Sequence, residues 1–358
     1  MISSIYNNIN ISAIASVVPT KCVKAEDYYD LFGKDVVDKN VQTTGVKETH
    51  HVNAFQTSSD LAYVAAKRIM DELNIPPESI DILIFVAYYL DYQVPPTACV
   101  LQSRLGIPED CMVFDIDLAC SGYVYGLNVM SSLLSTTDAK RGLLLTGDIT
   151  SKVISPHDKS RMLFGDGGTA TLLEKVESGS EYRFGMKTDG SRFKSIIVPG
   201  GAYRNPEASK ERTEWSDGNF RSEYDLYMNG MDVFSFSMTD VPKMAKEFME
   251  KYDYTPDDFD AFIFHQPNYF IMKHLIKKLG APVDKMPISL DRYGNTSVCS
   301  IPITLCDAFH DCDEEKKLFL YGFGVGLSWA CASVTIDTKN IFEIEYTDDY
   351  YTEGKVEH

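Results

Sequence analysis

The strongest constraint on this chain is that it repeats itself. PESIDILIF (77–85) returns as PDDFDAFIF (256–264) at an offset of 179 residues. LGIP (105–108) returns as LGAP (279–282) at 174, and LLLTGD (143–148) as LFLYGF (318–323) at 175. Three segments matched in one order point to duplication rather than to chance likeness among βαβ units. A period this long means two related halves, not a solenoid. The five-residue slip between the first two offsets puts extra residues in the first half, between 86 and 104.

Both halves alternate short apolar runs with amphipathic segments, the pattern of an α/β protein. Strands are expected at 82–87, 112–116, 143–146, 261–264 and 318–321. Helices are expected over 57–73, which stops before Pro76-Pro77, and over 268–279, which stops at Gly280. The halves divide as 1–178 and 179–346, followed by an acidic tail, 347–358, with the composition of a frayed end. Residues 200–225 are rich in Gly, Pro and charge and read as a surface excursion over a site mouth.

Charge excludes some partners. With 34 Lys+Arg against 52 Asp+Glu the net charge is −18, the opposite of the basic footprint that nucleic acid or an anionic membrane demands. The 8 cysteines include no C-x-x-C pair, and no histidines cluster at ligand spacing, so neither a zinc site nor a disulfide framework is expected. The opening MISSIYNNINISAI lacks a signal-peptide pattern, and no apolar run approaches the ~20 residues of a membrane span. The expected location is the cytoplasm.

Three residues are candidates for chemistry. Cys120 follows the strand-like VFDID and opens CSGYVYGLNVM, whose Gly122 and Gly126 permit close packing. A thiol at such a turn lies near amide N–H groups and the positive end of a helix, which favour a thiolate. By position alone, an inert buried cysteine is the commoner outcome. His265 ends DAFIFH, at the C-terminal end of a strand, where α/β proteins place their sites. Asn295 lies in GNTS, which by itself is ordinary turn chemistry. Together the three supply a nucleophile and two neutral donors able to hold a thioester oxygen as negative charge develops on it. GFGVGLSW (322–329) lacks the spacing of a Walker or dinucleotide loop. Its glycines suit close approach of backbone amides to a ligand.

DIDLACSGY, FGDGGTATL, HQPN, GNTS and GFGVGLSW come in this order, with TGVKETHHV (44–52) and YMNGMDVF (227–234). Over about residues 10–336 this combination resembles β-ketoacyl-acyl-carrier-protein synthase III of the thiolase superfamily. The resemblance implies a thiolase-like, five-layered αβαβα fold of two pseudo-repeated halves, a homodimer, and neither cofactor nor metal. It implies that Cys120 takes the acyl primer and that His265 and Asn295 bind the extender's thioester carbonyl during decarboxylation. The backbone N–H groups of Cys120 and Val325 would form the oxyanion hole. Phe164 and Phe323 match positions near the nucleophile, Val94 one at the acyl pocket, and Asn268 a contact with the pantetheine arm. The implied substrates are an acyl thioester of coenzyme A or acyl carrier protein, and malonyl-acyl carrier protein.

The chain also departs from the family pattern. Phe270 stands where the family has an Arg used in carrier-protein docking, and Lys39 and Thr43 where a Trp and an Arg sandwich the adenine of coenzyme A. Val325 stands where Gly is frequent, and Val94 where a bulky Phe is common. An added methylene in a fitted pocket is worth ~1–3 kcal/mol, so the smaller Val94 predicts a primer larger than acetyl. Behind HQPN, Ile271, Met272, Leu275, Ile276 and Leu279 form one helical stripe, and Lys273, His274, Lys277 and Lys278 occupy the other face. Those cations are candidates for attracting an acidic carrier protein in place of the missing Arg. The reading is a decarboxylative condensing enzyme. Its rivals are an acyltransferase to another nucleophile and a non-catalytic partner subunit, whose signature would be loss of the cysteine.

Overall fold

The computed structural model describes residues 1–354. Its principal strands are β1 (Ile2–Tyr6), β2 (Ile9–Pro19), β3 (Ile82–Val86), β4 (Met112–Ile116), β5 (Arg141–Asp148), β6 (Gly167–Lys175), β7 (Tyr182–Thr188), β8 (Ala261–Phe264), β9 (Glu315–Gly324), β10 (Ser328–Asp337) and β11 (Glu345–Thr347). The principal helices are α1 (Ser58–Glu72), α2 (Thr97–Arg104), α3 (Gly122–Thr136), α4 (Gly230–Lys251), α5 (Tyr269–Leu279) and α6 (Ser300–Phe309).

Two sheets result, ordered β11–β2–β6–β5–β3–β4 and β1–β7–β10–β9–β8. Without their edge strands they are the same sheet twice. In β2–β6–β5–β3 and in β7–β10–β9–β8 the first two joints are antiparallel and the third parallel. The strands that repeat in sequence, β3 with β8 and β5 with β9, are the ones that coincide in topology. The slip also finds its place: residues 87–96 separate β3 from α2, whereas only 265–268 separate β8 from α5. The chain ends cross over, since β1 pairs with β7 of the second sheet and β11 with β2 of the first.

Strand alternation builds the layers. Ile82, Ile84 and Val86 of β3, with Ala261 and Ile263 of β8 and Leu318 and Leu320 of β9, pack into a central core with α3 and α6. Leu83 and Phe85 turn the other way, under α1 and α2. Phe262, Phe264, Phe319 and Tyr321 turn outward under α4 and α5. Both faces of each sheet are thus covered, which explains the unbroken apolar runs and gives five layers. A Cβ at Gly122 would lie 2.7 Å from Val86, and one at Gly126 2.8 Å from Leu144, so α3 sits directly on the first sheet. The N-termini of the two central helices meet, because Cys120, just before α3, contacts Ser297, just before α6.

One expectation needs correction. The tail does not fray over 347–354. Gln56 Nε2 donates to the carbonyls of Thr347 (3.1 Å) and Asp349 (3.0 Å), and Arg104 pairs with both Asp60 (3.0 Å) and Glu353 (2.5 Å). Acidic composition suggested solvation, but here the acid meets a well-covered arginine. Residues 355–358 lie outside the described residues. The 200–225 segment is a surface excursion, as expected, and is anchored from within: Arg221 is buried and its Nε donates to Asp158 at 2.9 Å. No helix among the described residues is long and apolar enough to cross a membrane.

Candidate active site

Cys120 lies in the turn between β4 and α3, with β9 pressed against it. A Cβ at Gly324 would stand 2.8 Å from Cys120 Cβ and 2.9 Å from Sγ, and one at Gly322 would stand 2.6 Å from the Cys120 carbonyl oxygen. Only hydrogen fits at either position. The backbone N–H groups of Cys120 and Val325 both reach the sulfur. The glycine-rich segment therefore brings an amide close to the sulfur of Cys120. Burial outweighs the helix end and favours the thiol. Burial pushes the Cys120 thiol up to about 12, the Asp148 charge adds to that, and Ser297 and the two N–H groups only partly offset it.

The turn before α6 is built to hold Asn295. Its backbone N–H donates to Leu163 O (2.8 Å), and its carbonyl accepts from Gly165 N–H (3.1 Å). Its Oδ1 accepts the N–H of Ser297 at 2.9 Å, which leaves Nδ2 as the donating end of the amide. Ser297 has φ +50°, a left-handed conformation uncommon outside glycine, and its Oγ lies 3.7 Å from Cys120 Sγ. His265 follows β8 directly. Its N–H donates to Tyr321 O (2.8 Å), its Nδ1 is 2.7 Å from Ser300 Oγ, and its ring meets Phe323 edge-on at 5.6 Å. Burial pulls its basicity down to about 3, so the ring is neutral.

These groups surround a largely apolar cavity of about 390 Å³. Cys120, Phe164, Asn295, Ser297 and Val325 line it, and His265 and Phe323 stand in the buried layer behind. The roots of the 200–225 excursion, Ile196–Val198 on one side and Leu226 and Met228 on the other, complete the wall.

Residues 114–190 match the family 3-oxoacyl-[acyl-carrier-protein (ACP)] synthase III, and residues 249–336 match 3-oxoacyl-[acyl-carrier-protein (ACP)] synthase III C terminal. The β-ketoacyl-[acyl-carrier-protein] synthase III of Clostridium perfringens is 33% identical over 303 residues, covering 84% of this chain and 91% of that protein. The chain belongs to the synthase III family. The corresponding enzyme of Lactococcus lactis subsp. lactis is 32% identical over 336 residues, 91% of this chain and 98% of that one. A crystal structure of 3-oxoacyl-(acyl-carrier protein) synthase from Burkholderia xenovorans LB400 superposes with a TM-score of 0.90 at 34% identity, over 97% of this chain and 99% of that one. The fold is the five-layered thiolase fold, and the chain is a condensing acyltransferase rather than either rival.

Not every residue carried over from the synthase III pattern reaches the cavity. Val94 is 81% exposed at the tip of the 87–96 loop and does not border the cavity of its own chain, because that loop projects beyond β3. Asn268 caps α5, its Oδ1 accepting from Ile271 N–H at 2.8 Å, and its neighbour Pro267 lines the cavity instead. Phe270 stacks on Phe234 at the surface. Lys273, Lys277 and Lys278 are exposed, as the helical stripe predicts, but His274 turns toward α4, its Nε2 3.3 Å from Met238 O. Outside the cavity lining, Cys22, Glu48 and His50 hold three ligand-type atoms within 4.8 Å of one another, a grouping that spacing in the sequence does not reveal. Two of them engage each other, the Cys22 thiol donating to Glu48 (3.6 Å), and His50 Nδ1 lies 2.7 Å from Pro19 O.

Sequence reasoning missed four polar residues. Ser297 and Ser300 bridge the nucleophile and the histidine, Asp148 borders the cavity at the end of β5, and His51 Nε2 lies 3.1 Å from the carbonyl of Phe164. The motifs TGD and GNTS contain two of them, Asp148 and Ser297, but nothing in those short strings separates a buried functional group from turn punctuation.

Proposed function

We propose that this synthase III loads an acyl primer from a thioester onto Cys120 and condenses it with malonyl-acyl carrier protein to a 3-oxoacyl thioester. In loading, the sulfur attacks the thioester carbonyl, whose oxygen gains negative charge between the N–H groups of Cys120 and Val325. In extension, the malonyl carboxylate leaves as carbon dioxide and its electrons pass to the thioester oxygen. The Asn295 amide donates to that oxygen together with His265. For the histidine to donate, its proton must sit on Nε2, which requires the Ser300 hydroxyl to turn from the Ser297 carbonyl to Nδ1. The enolate carbon then attacks the acyl-enzyme and expels Cys120. What carries this reading is the meeting of Cys120, from the first half, with Asn295, from the second, at one apolar cavity, with His265 in the layer directly behind.

The reading extends to assembly. The edge strand β4 has one unpaired side and is half-exposed along its length, and beside it the 87–96 loop exposes Leu90, Tyr92 and Val94. A self-complementary two-fold contact there would pair the edge and cover the apolar loop, giving a homodimer. Val94 would then act in that interface and influence the primer from there. The lysine face of α5 would receive the acidic carrier protein, and the cytoplasm would be the site of action. Intact-protein mass spectrometry after incubation with a panel of acyl thioesters tests the core of the proposal. The wild-type chain gains one acyl mass, mapped to Cys120, and Cys120→Ala gains none; acylation that persists in Cys120→Ala refutes it.

A further inference from the structure

Loading must remove a proton that burial keeps on Cys120. The neutral ring of His265, its basicity held near 3, is a poor acceptor. A second path leaves the sulfur on the side of the 294–299 turn. Ser297 Oγ, 3.7 Å from Sγ, also faces the carboxyl of Asp148, and the two residues border the same cavity. Asp148 ends β5, is 2% exposed and borders the cavity. The N–H of Thr150 donates to its Oδ1 at 2.8 Å and the Thr150 hydroxyl donates to the same oxygen, which fixes the carboxyl. The titratable groups facing it are Cys120, Tyr89 from the loop after β3, Cys299 from the turn before α6, and Asp166 just ahead of β6.

We propose that Asp148, acting through the hydroxyl of Ser297, takes up the Cys120 thiol proton during loading and returns it to the departing thiolate. The inference rests on acyl loading at Cys120 as proposed above. The Cys120 S–C bond forms and the donor thioester C–S bond breaks. The thiol proton passes to Ser297 Oγ as the Ser297 proton passes to Asp148. The same two transfers run backward to the sulfur of the leaving coenzyme A or carrier protein, so no net proton is lost or gained. Burial, reinforced by the like charge of Asp166, raises Asp148 to about 7, which suits exchange near neutral pH. Ser297 touches the reacting sulfur; Asp148 is a positioning residue that works through it.

The test is single-turnover acylation of the full chain by a short acyl-coenzyme A, followed by intact mass between about pH 5.5 and 9. In the wild type the rate rises with pH through about 7, as Asp148 loses its proton. Asp148→Asn loads on the order of 10²-fold more slowly at neutral pH and loses that limb of the profile. Ser297→Ala leaves the buried carboxyl in place and loses the same limb, so it decides the matter alone if Asp148→Asn does not fold. An unchanged rate and pH profile in either folded variant overturns the relay. A wild-type chain that no acyl thioester loads overturns instead the function on which the relay rests.

Discussion

β5 and β9 are the same strand in the two halves, and they end differently. Gly147 of one matches Gly322 of the other, but the next residue is Asp148 in the first half and Phe323 in the second. Both sites are buried and both abut the reaction centre, Asp148 through Ser297 and Phe323 through the ring of His265. The central helices show the same division. The N-terminus of α3 presents Cys120, and that of α6 follows the turn holding Asn295 and Ser297. The two halves share equivalent strand ends and helix N-termini; in the proposed mechanism one half provides the nucleophile and the other the donors. The fold is doubled and the chemistry is divided.

Breaking the division at its donor side should have the largest effect. Asn295→Asp leaves Cys120 and its N–H donors intact, so the acyl-enzyme should still appear by mass. Carbon dioxide release from malonyl thioester should fall by at least ~10²–10³-fold, because a negative charge replaces a donor facing the enolate. Equal losses in loading and decarboxylation would show that the halves are not specialised in this way. Next, Gly324→Ala intrudes within 2.9 Å of the sulfur and should slow loading roughly tenfold, through displacement of the nucleophile. Acylation at the wild-type rate would mean that β9 does not set the position of Cys120.

Charge reversal at Lys273 and Lys277 on α5 should slow transfer from carrier protein a few-fold, more at low salt, and spare coenzyme A thioesters. Equal rates with both donors would leave those lysines as a solvated face. The smallest effect concerns stability. Asp148 is raised in the folded state above its ordinary 3.8, so its contribution is full below about pH 4 and is lost as pH climbs toward 7. The melting temperature of Asp148→Asn, relative to wild type, should therefore rise by a few degrees between about pH 5 and 8. Phe323→Leu should shift melting by the same amount at both ends of that range. A pH-dependent shift in the second variant and not in the first would reverse the assignment.

Much of this was legible in the sequence because it depends on pattern. Strand alternation repeated at an offset of 179 gave away the halves, and Cys120, His265 and Asn295 sit inside strings long enough to mark a family. What was not legible depends on burial and on contacts distant in sequence. Asp148 and Ser297 become a pair only across 149 residues of chain. The thiol of Cys120 looked like a thiolate from its helix N-terminus, and only the depth of the site reverses that. Val94 carries a family position yet stands exposed on its loop, and the tail's acidity hid its pairing with Arg104.

The central claim is that the two halves together perform a decarboxylative condensation, and one experiment addresses it directly. Pre-acylated wild-type enzyme is mixed with malonyl-acyl carrier protein labelled in its free carboxyl, and released carbon dioxide is measured beside the product. The account predicts one carbon dioxide for each 3-oxoacyl thioester formed, with Cys120 returned to the free thiol. Loss of the acyl group from Cys120 to any acceptor without release of label would contradict it.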